Sequence, residues 1–416
     1  MPKLQASIAA LLTAGWICLS PALAQTGPLT LADAVALAKA ADEPDLARFE
    51  QRARALENEA IADAQLPDPM VTGQVANVPT DSFEFDEDGM TQALRIGLRQ
   101  EFPAGRTLAL RGRQRSTESS IARAQRQLAL RKIELAVRNA WLELAWHERA
   151  QAIVGRSRNA VEQQIGSLTS RFASGGMHAQ NMLRAELELA LLDDELTEHR
   201  RRGDSARAAL ARYIGNAAFR SLPPGLPKLP EPAPLAALEA RLVEHPAAVA
   251  DRMRIDSAEF GVAIAEQAYK PKFALEGGYG FRTDRADLAS IGVTLSVPLF
   301  TNKRQDRRHV AAVQQMSAAE FDRQALLLDL KRQLQQELVD WQRLQERLAL
   351  YSGTIGERAR QTAEAAVSTY ANRQTDFAEL IRDQLAEIRI QLKRAELETE
   401  AAKSWARLNY LVGDPS

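Results

Sequence analysis

The sequence predicts a mainly helical protein with a small β part, made of two internal repeats. Residues 67–142 have the order strand, loop, strand, proline and very long helix, and residues 271–348 repeat that order. The second strand of each copy alternates apolar and polar residues, so each of these strands has one apolar and one polar face. Pro103 and Pro298 follow these strands, and helical periodicity starts within a few residues. This strand-to-helix junction, used twice, organises the chain.

Residues 1–24 have the form of a secretory signal peptide. Lys3 supplies the positive start, Ile8 to Leu19 is mostly apolar, and Ala22 to Ala24 is a small-x-small cleavage site. The mature chain is therefore expected to begin at Gln25. An N-terminal membrane anchor is disfavoured, because the apolar run is too short to span a bilayer.

Cys18, the only cysteine, lies inside this signal. Lipid attachment there is disfavoured, because Trp16 and Ile17 precede it where a lipoprotein signal has small residues. The mature chain then has no disulfide and no thiolate metal site. No later stretch of about 20 consecutive apolar residues occurs, which excludes a helical span and leaves a periplasmic protein, a secreted protein or an outer-membrane β-barrel. The net charge of -1 does not indicate the basic surface that nucleic-acid binding requires.

A proline-rich linker at residues 216–237 separates the repeats. The predicted elements of the first repeat, residues 25–215, are a helix at about 29–66 capped by Thr30 and broken at Pro44, strands at about 70–78 and 91–102, a long helix at about 107–170 and a returning helix at about 178–213. Those of the second repeat, residues 238–416, are a helix from about 236 to 269 broken at Pro246, strands at about 272–282 and 289–299, a long helix at about 304–369 and a returning helix at about 375–412.

Both long helices have apolar residues at sevenfold spacing, which is typical of helices packed lengthwise. The first would be about 95 Å long at 1.5 Å per residue. In each half, the helix before the strands and the returning helix together roughly match the long helix in length. Each half is therefore expected to be a long antiparallel helical hairpin with a strand pair inserted at one end.

Four short strands with one apolar face are too few to close a membrane barrel, since the smallest barrels have about eight strands. Open strand edges in lipid would leave backbone groups unpaired at several kcal/mol each. The strands are therefore expected to pair with copies of the chain, two giving eight strands and three giving twelve. The polar faces of the strands combine small residues with Arg and Glu, which is typical of the wall of a water-filled bore. A soluble periplasmic coiled coil is the alternative, and it would leave the apolar faces of all four strands exposed to water.

Two kinds of motif occur twice in the chain, at the strand ends and at the hairpin tips. They are Gln100-Glu101-Phe102-Pro103 and Ser296-Val297-Pro298-Leu299-Phe300 at the strand ends, Arg171 to Gly176 with Asn181 to Glu186 at the first hairpin tip, and Tyr370 to Arg373 with Glu379 to Arg382 at the second. In the doubled order of these motifs the chain resembles the TolC-type outer-membrane efflux family, the exit ducts of tripartite efflux pumps, and the resemblance covers nearly the whole mature chain. The chain departs from the family pattern at Arg373, where Gly is usual, and at Asn181 and Glu379, where Asp is usual.

The resemblance implies a homotrimer with a 12-stranded outer-membrane β-barrel and a 12-helix periplasmic tunnel. Its partners would be a periplasmic adaptor (membrane fusion protein) and an inner-membrane RND-type pump. It would be located in the outer membrane of a Gram-negative bacterium. A finer resemblance, to the heavy-metal cation efflux (CzcC-like) branch, rests on Leu66 to Met70, Asn77-Val78-Pro79 and Met90-Thr91-Gln92. It implies heavy-metal cations as substrates. A multidrug duct and a type I protein-secretion duct are the alternatives.

No motif indicates catalysis, a phosphate-binding loop or a cofactor, so the chain is not expected to be an enzyme. The five histidines are scattered in sequence and are expected to be ordinary solvated or interhelical histidines, so no metal site is expected from them. They are His147, His178, His199, His245 and His309. The loop at Pro79–Met90 carries carboxylates from Asp81 to Asp88 that could gather cations, although a solvated loop is the favoured interpretation.

The hairpin tips supply the remaining candidate residues. Gate candidates are Asn181, Glu379, Arg382 and Asp383. In a closed trimer, Glu379 and Arg382 could pair between neighbouring chains, whereas the alternative is an exposed pair on one helix. Adaptor-docking candidates are Ser174, Gly175, Gly176, Ala371 and Asn372, where small residues would let another helical tip approach. The alternative for these is a tight turn that needs glycine.

Overall fold

The structure, a computed structural model, describes residues 27–86, 89–173, 179–372 and 374–414. The predicted signal peptide lies outside these ranges. The described helices are α1 (Leu31–Ala40), α2 (Pro44–Asp63), α3 (Thr107–Ala173), α4 (Ala179–Ile214), α5 (Leu235–Arg241), α6 (Pro246–Gln267), α7 (Gln305–Ser352), α8 (Thr354–Ala371) and α9 (Phe377–Val412). The described strands are β1 (Met70–Ala76), β2 (Gln92–Phe102), β3 (Lys272–Phe281) and β4 (Leu288–Ser296). The predicted class, mainly helical with a small antiparallel part, is confirmed.

The four strands form one antiparallel sheet in the order β1-β2-β3-β4. The central pair, β2 with β3, joins the two halves of the chain, with Phe102 opposite Phe273 and Leu94 opposite Phe281. The rings of Phe102 and Phe273 stack with centroids 4.8 Å apart. The sheet is therefore a shared element of both repeats and not two separate hairpins.

Helix starts follow the signals in the sequence. The Thr30 hydroxyl accepts the Asp33 N–H at 3.1 Å, and the Asp33 carboxylate accepts the Thr30 N–H at 3.3 Å, which confirms the predicted cap of α1. Pro44 and Pro246 are the first residues of α2 and α6. Proline suits this position because its missing N–H would have no partner in the first turn.

Helix α3 is the axis of the first half. Helix α2 lies beside its first part, where Arg115 binds Asp63 at 3.0 Å, and α4 beside its later part, where Arg158 binds Asp193 at 2.6 Å. Helices α6 and α9 also pack against α3. Two shorter helices thus lie along one long helix, as the helix lengths predict.

In the second half, α6 and α9 pack against α7 in the same way. The Tyr269 hydroxyl donates to Asp306 at 2.8 Å near the start of α7, and Arg407 of α9 binds Glu337 at 2.8 Å further along. Both halves are therefore helical hairpins that extend from one sheet.

The second long helix differs from the prediction of one helix over about 304–369. It is interrupted at Gly353, which has φ -101° and ψ -108° and separates α7 from α8. Gly356 follows, where a Cβ would lie 2.5 Å from the carbonyl oxygen of Tyr351. Glycine tolerates backbone conformations outside the helix at little cost, and apolar periodicity does not register a break of one residue.

Three apolar clusters hold the helices together. The first surrounds Trp141, which is 0% exposed and donates its indole N–H to the carbonyl of Leu29 at 3.0 Å. The second joins α3, α4, α8 and α9 near Phe377, and the third joins α5, α6, α7 and α9 near Leu334. Helix α9 contributes to all three, so it ties the halves together. Within the described ranges, no helix has both the length and the apolarity that a bilayer crossing requires.

Candidate functional site: a two-faced sheet and the helical tips

One face of the sheet, here called the apolar face, carries large exposed apolar side chains. Residues opposite each other in an antiparallel pair point to the same side, so the register assigns each strand's members to this face. The exposed members are Val71, Leu94, Ile96, Leu98, Phe273, Leu275, Tyr279, Phe281, Ile291, Val293 and Leu295. Ile291 is 92% exposed and Val293 is 66% exposed. A continuous apolar surface of this kind indicates contact with lipid or with another protein.

The opposite face, here called the polar face, carries charges in pairs. Arg99 binds Glu276 at 3.1 Å and Lys272 binds Glu101 at 2.8 Å, both across β2 and β3. The Thr294 hydroxyl donates to Glu276 at 3.0 Å. The two faces of one thin sheet are therefore adapted to different surroundings.

Glycine on β3 makes room for long polar side chains on the polar face. A Cβ on Gly280 would lie 2.0 Å from the amide oxygen of Gln92, and one on Gly278 would lie 3.2 Å from Nε of Arg95. The Arg95 guanidinium crosses this gap and donates to the Ser290 hydroxyl at 3.2 Å. The side chains on this face thus lie flat across the strands.

The outer edges of β1 and β4 have no strand partner among the described residues. An open strand edge presents a row of unpaired N–H and C=O groups, which another strand can satisfy. In lipid such groups cost several kcal/mol each. The sheet therefore needs further strands if its apolar face lies in a membrane.

The acidic loop lies between β1 and β2, and Glu87 and Asp88 are outside the described residues. At its base, the Asn77 amide donates to the Met90 carbonyl at 3.1 Å, and the Thr91 hydroxyl donates to the Asn77 carbonyl at 2.7 Å. In the described part of the chain, no group of three or more His, Cys, Asp or Glu side chains could hold a metal ion. Cation gathering by the loop stays a prediction.

The prolines of both predicted strand-to-helix junctions are half-buried. Pro103 directly follows β2, and Pro298 lies two residues beyond β4, which ends earlier than the predicted 299. After Pro103, Gly105 has φ 53°, and a Cβ there would lie 2.4 Å from the amide oxygen of Gln267. That oxygen also accepts the Arg106 N–H at 3.2 Å, so it ties the junction to α6.

The second tip is largely described, whereas Ser174, Gly175 and Gly176 of the first lie outside the described residues. Ala371 is the last residue of α8, and Asn372 follows it as an exposed cap. The Asp376 carboxylate accepts the Glu379 N–H at 2.8 Å, which starts α9. Small exposed residues therefore do lie at this turn.

The gate candidates have different surroundings. Asn181 lies half-buried near the start of α4. Glu379 and Arg382 are exposed on α9, and Asp383 beside them is half-buried. Within one chain, neither Glu379 nor Arg382 has an ion-pair partner among the described residues. The exposed pair on one helix is therefore not formed within the described ranges, and pairing between neighbouring chains stays a prediction.

Two histidines that are far apart in the sequence meet in the structure. Nδ1 of His147 on α3 lies 3.0 Å from Nδ1 of His199 on α4, and Nε2 of His147 lies 3.2 Å from Glu143. Burial lowers the pKa of both imidazoles below the usual range. The contact between these two histidines is interhelical, which is one of the two ordinary roles that the sequence favours for the histidines. Their positions are 52 apart, so only the pairing of α3 with α4 reveals the contact.

No protein-family model matches the chain, and no curated protein matches its sequence. Solved structures do share its fold. The outer-membrane channel OprN has a TM-score of 0.77 at 18% identity and covers 92% of this chain and 90% of its own. The outer membrane protein VceC of Vibrio cholerae has a TM-score of 0.75 at 18% identity, with 92% of this chain and 96% of its own covered.

CusC, whose crystal structures concern folding and transmembrane channel formation, has a TM-score of 0.77 at 12% identity and covers 93% of this chain and 92% of its own. At sequence identities this low, the similarity between this chain and the solved structures shows a shared fold and nothing further. The chain therefore has, along nearly its whole described length, the fold found in outer-membrane channel proteins. This agrees with the single-chain fold that the sequence resemblance implies.

Proposed function

We propose that this chain is the outer-membrane exit duct of a tripartite efflux system. Three copies would form a 12-stranded barrel in the outer membrane and a 12-helix tunnel in the periplasm. The duct performs no chemistry and uses no cofactor. Energy would come from an inner-membrane pump, reached through a periplasmic adaptor at the hairpin tips.

The observation that carries this proposal is the sheet with opposite faces. Its apolar face needs a nonpolar surrounding, and its paired charges need water. Those two conditions meet in the wall of a water-filled barrel, where lipid lies outside and the bore inside. The open edges of β1 and β4 supply the reason for more than one copy, since closure removes every unpaired edge.

Two neighbouring positions on β4 test the proposal. Val293 lies on the apolar face and Thr294 on the polar face. Val293→Lys is expected to cost about 2–4 kcal/mol if the side chain faces lipid. The variant should then be depleted from outer-membrane fractions and lose its trimers in native electrophoresis.

Thr294→Lys is the matched control. It adds the same charge to the same strand, next to Glu276, and should assemble normally. The duct proposal would be wrong if both variants and the wild type gave equal amounts of soluble protein and none of them sedimented with outer membranes. That result would favour a soluble coiled coil.

The tips supply the gate in this proposal. Glu379 and Arg382 are exposed and have no ion-pair partner among the described residues, so we propose that they pair between neighbouring copies, beside Asp383 and near Asn181. The variant Glu379→Ala with Arg382→Ala should raise single-channel conductance in a planar bilayer. The exposed Glu357–Arg360 pair on α8 gives the control variant, which should leave conductance unchanged. A closed-state conductance equal to that of the wild type in the tip variant would contradict the gate.

The docking surface proposed for the adaptor consists of Ser174, Gly175 and Gly176 together with the turn at Ala371 and Asn372. Replacement of Ala371 or Asn372 by tryptophan should block cross-linking to the adaptor without loss of trimers, because only the turn is enlarged. Unchanged cross-linking would move the docking surface elsewhere.

We propose heavy-metal cations as the substrates, on the basis of the finer sequence resemblance. Deletion of the gene, followed by growth tests with zinc, cobalt, cadmium, copper, silver and a set of drugs, separates the candidates. Sensitivity to metals supports the proposal. Sensitivity to drugs alone would favour a multidrug duct, and loss of a secreted protein would favour a protein-secretion duct.

A further inference from the structure

The contact between His147 and His199 holds two imidazoles in an arrangement that suits a metal ion. Their Nδ1 atoms are 3.0 Å apart, on two antiparallel helices. Two nitrogens bound tetrahedrally to Zn²⁺ at 2.0–2.1 Å lie about 3.3 Å apart. A shift of about 0.3 Å would therefore let one ion replace the hydrogen bond between the rings.

The surroundings of His147 fix which nitrogen offers its lone pair. Nε2 of His147 lies 3.2 Å from a Glu143 oxygen, and a carboxylate accepts hydrogen bonds, so the proton of His147 is on Nε2. The lone pair on Nδ1 then points to His199. The Glu143 carboxylate is held in turn by Lys403 of α9. A carboxylate behind a histidine is the usual outer partner of a metal ligand.

His199 is also held in place. The ring of Trp146 meets it edge to face at 5.7 Å, and the backbone carbonyl of His199 accepts from the Gln151 amide at 3.3 Å. His147 is 1% exposed, whereas His199 is half-buried, so an ion would enter beside His199. The nearby charge of Arg202 is offset by Glu198, which binds it at 2.6 Å.

We propose that His147 and His199 bind one divalent first-row transition-metal ion, Cu²⁺ most tightly, and that the ion braces α3 against α4. The two imidazoles are the protein ligands, and water fills the remaining positions. Imidazole suits Cu²⁺, Ni²⁺ and Zn²⁺, and the general order of affinity places Cu²⁺ first. On binding, the proton between the two rings leaves Nδ1 of His199, and His199 stays neutral with its proton on Nε2. This inference does not depend on what passes through the duct.

The test uses the mature chain without a polyhistidine tag, in detergent, titrated with Cu²⁺. The expected spectrum in electron paramagnetic resonance has coupling to two imidazole nitrogens, at one ion per chain. A melting temperature that rises with Cu²⁺ concentration is expected as well, because the ion binds only the folded pair.

His199→Gln should lower the Cu²⁺ affinity at least about tenfold, and Glu143→Gln about tenfold through the outer partner. His309→Ala on α7 is the control and should bind as the wild type does. Circular dichroism without metal checks that each variant is folded. Coupling to a single nitrogen in the wild type, or wild-type affinity in His199→Gln, would overturn the site.

Discussion

Helices α3 and α7 follow the same type of strand-to-helix junction, yet they lie in different surroundings. Helix α3 is one helix of 67 residues, packed against α2, α4, α6 and α9. Helix α7 has 48 residues, ends at Ser352 just before Gly353, and packs mainly against α6 and α9. Trp141 of α3 is fully buried, whereas Trp341 of α7 is half-buried. The same sequence pattern thus supports a central helix in one half and a peripheral helix in the other.

The two tryptophans give the largest expected contrast. Trp141→Ala should lower the free energy of unfolding by about 3–5 kcal/mol, because it leaves a cavity and an unpaired Leu29 carbonyl. Trp341→Ala should cost clearly less. The measurement is the melting temperature of the detergent-solubilised protein. Equal losses of stability in the two variants would mean that a neighbouring copy buries Trp341 in the assembled protein. The difference in burial between Trp141 and Trp341 would then exist only in the isolated chain.

The helix starts before each strand pair give the second contrast. Glu43 precedes α2 and is bound by Arg212, which holds the pKa of that carboxyl below its usual range. His245 precedes α6, its Nδ1 accepts the Ala247 N–H at 3.3 Å, and burial lowers its pKa to about 4. The folded protein therefore keeps His245 neutral while the unfolded chain takes up a proton below about pH 6.5.

Neutral His245 is thus expected to lower the stability by about 3 kcal/mol as the pH falls from about 6.5 to 4, because the unfolded state binds more protons there. The lowered pKa values of His147 and His199 act in the same direction. The Glu43 contribution is lost only below pH 4.5. His245→Asn keeps a cap acceptor without the titration and should make the loss of stability less steep in melts from pH 7 to 4.5. Glu43→Gln should leave that window unchanged. An unaltered pH profile in His245→Asn would refute the assignment.

The glycines give the smallest contrast. In Gly353→Ala with Gly356→Ala, the second Cβ would collide with the Tyr351 carbonyl, so α7 and α8 should become one continuous helix. Slower amide exchange over residues 349–357 is the expected result. Gly155→Ala in α3 has open space and should stabilise by about 0.5–1 kcal/mol with no local change in exchange. Fast exchange that persists in the double variant would mean that packing, and not glycine, causes the break.

Much of the candidate site was predictable because strand alternation is a local property. The sequence alone assigns Ile291, Val293 and Leu295 to one face, and the register in the structure keeps them there. It does not predict the ion pairs of the polar face, because Arg99 meets Glu276 only when β2 pairs with β3. It places Glu379 and Arg382 at a tip, but it does not predict that they form no ion pair within the part of the chain that the structure describes.

What the sequence by itself determined is the fold class, the two-faced strands, the proline starts of α2 and α6, and the cap at Thr30. These depend on residues within a few positions of each other. Only the tertiary structure decided the order of the sheet, the central role of α3, the break at Gly353 and the meeting of His147 with His199. These depend on contacts between distant segments, where packing of whole helices, and not local periodicity, sets which side chains are neighbours.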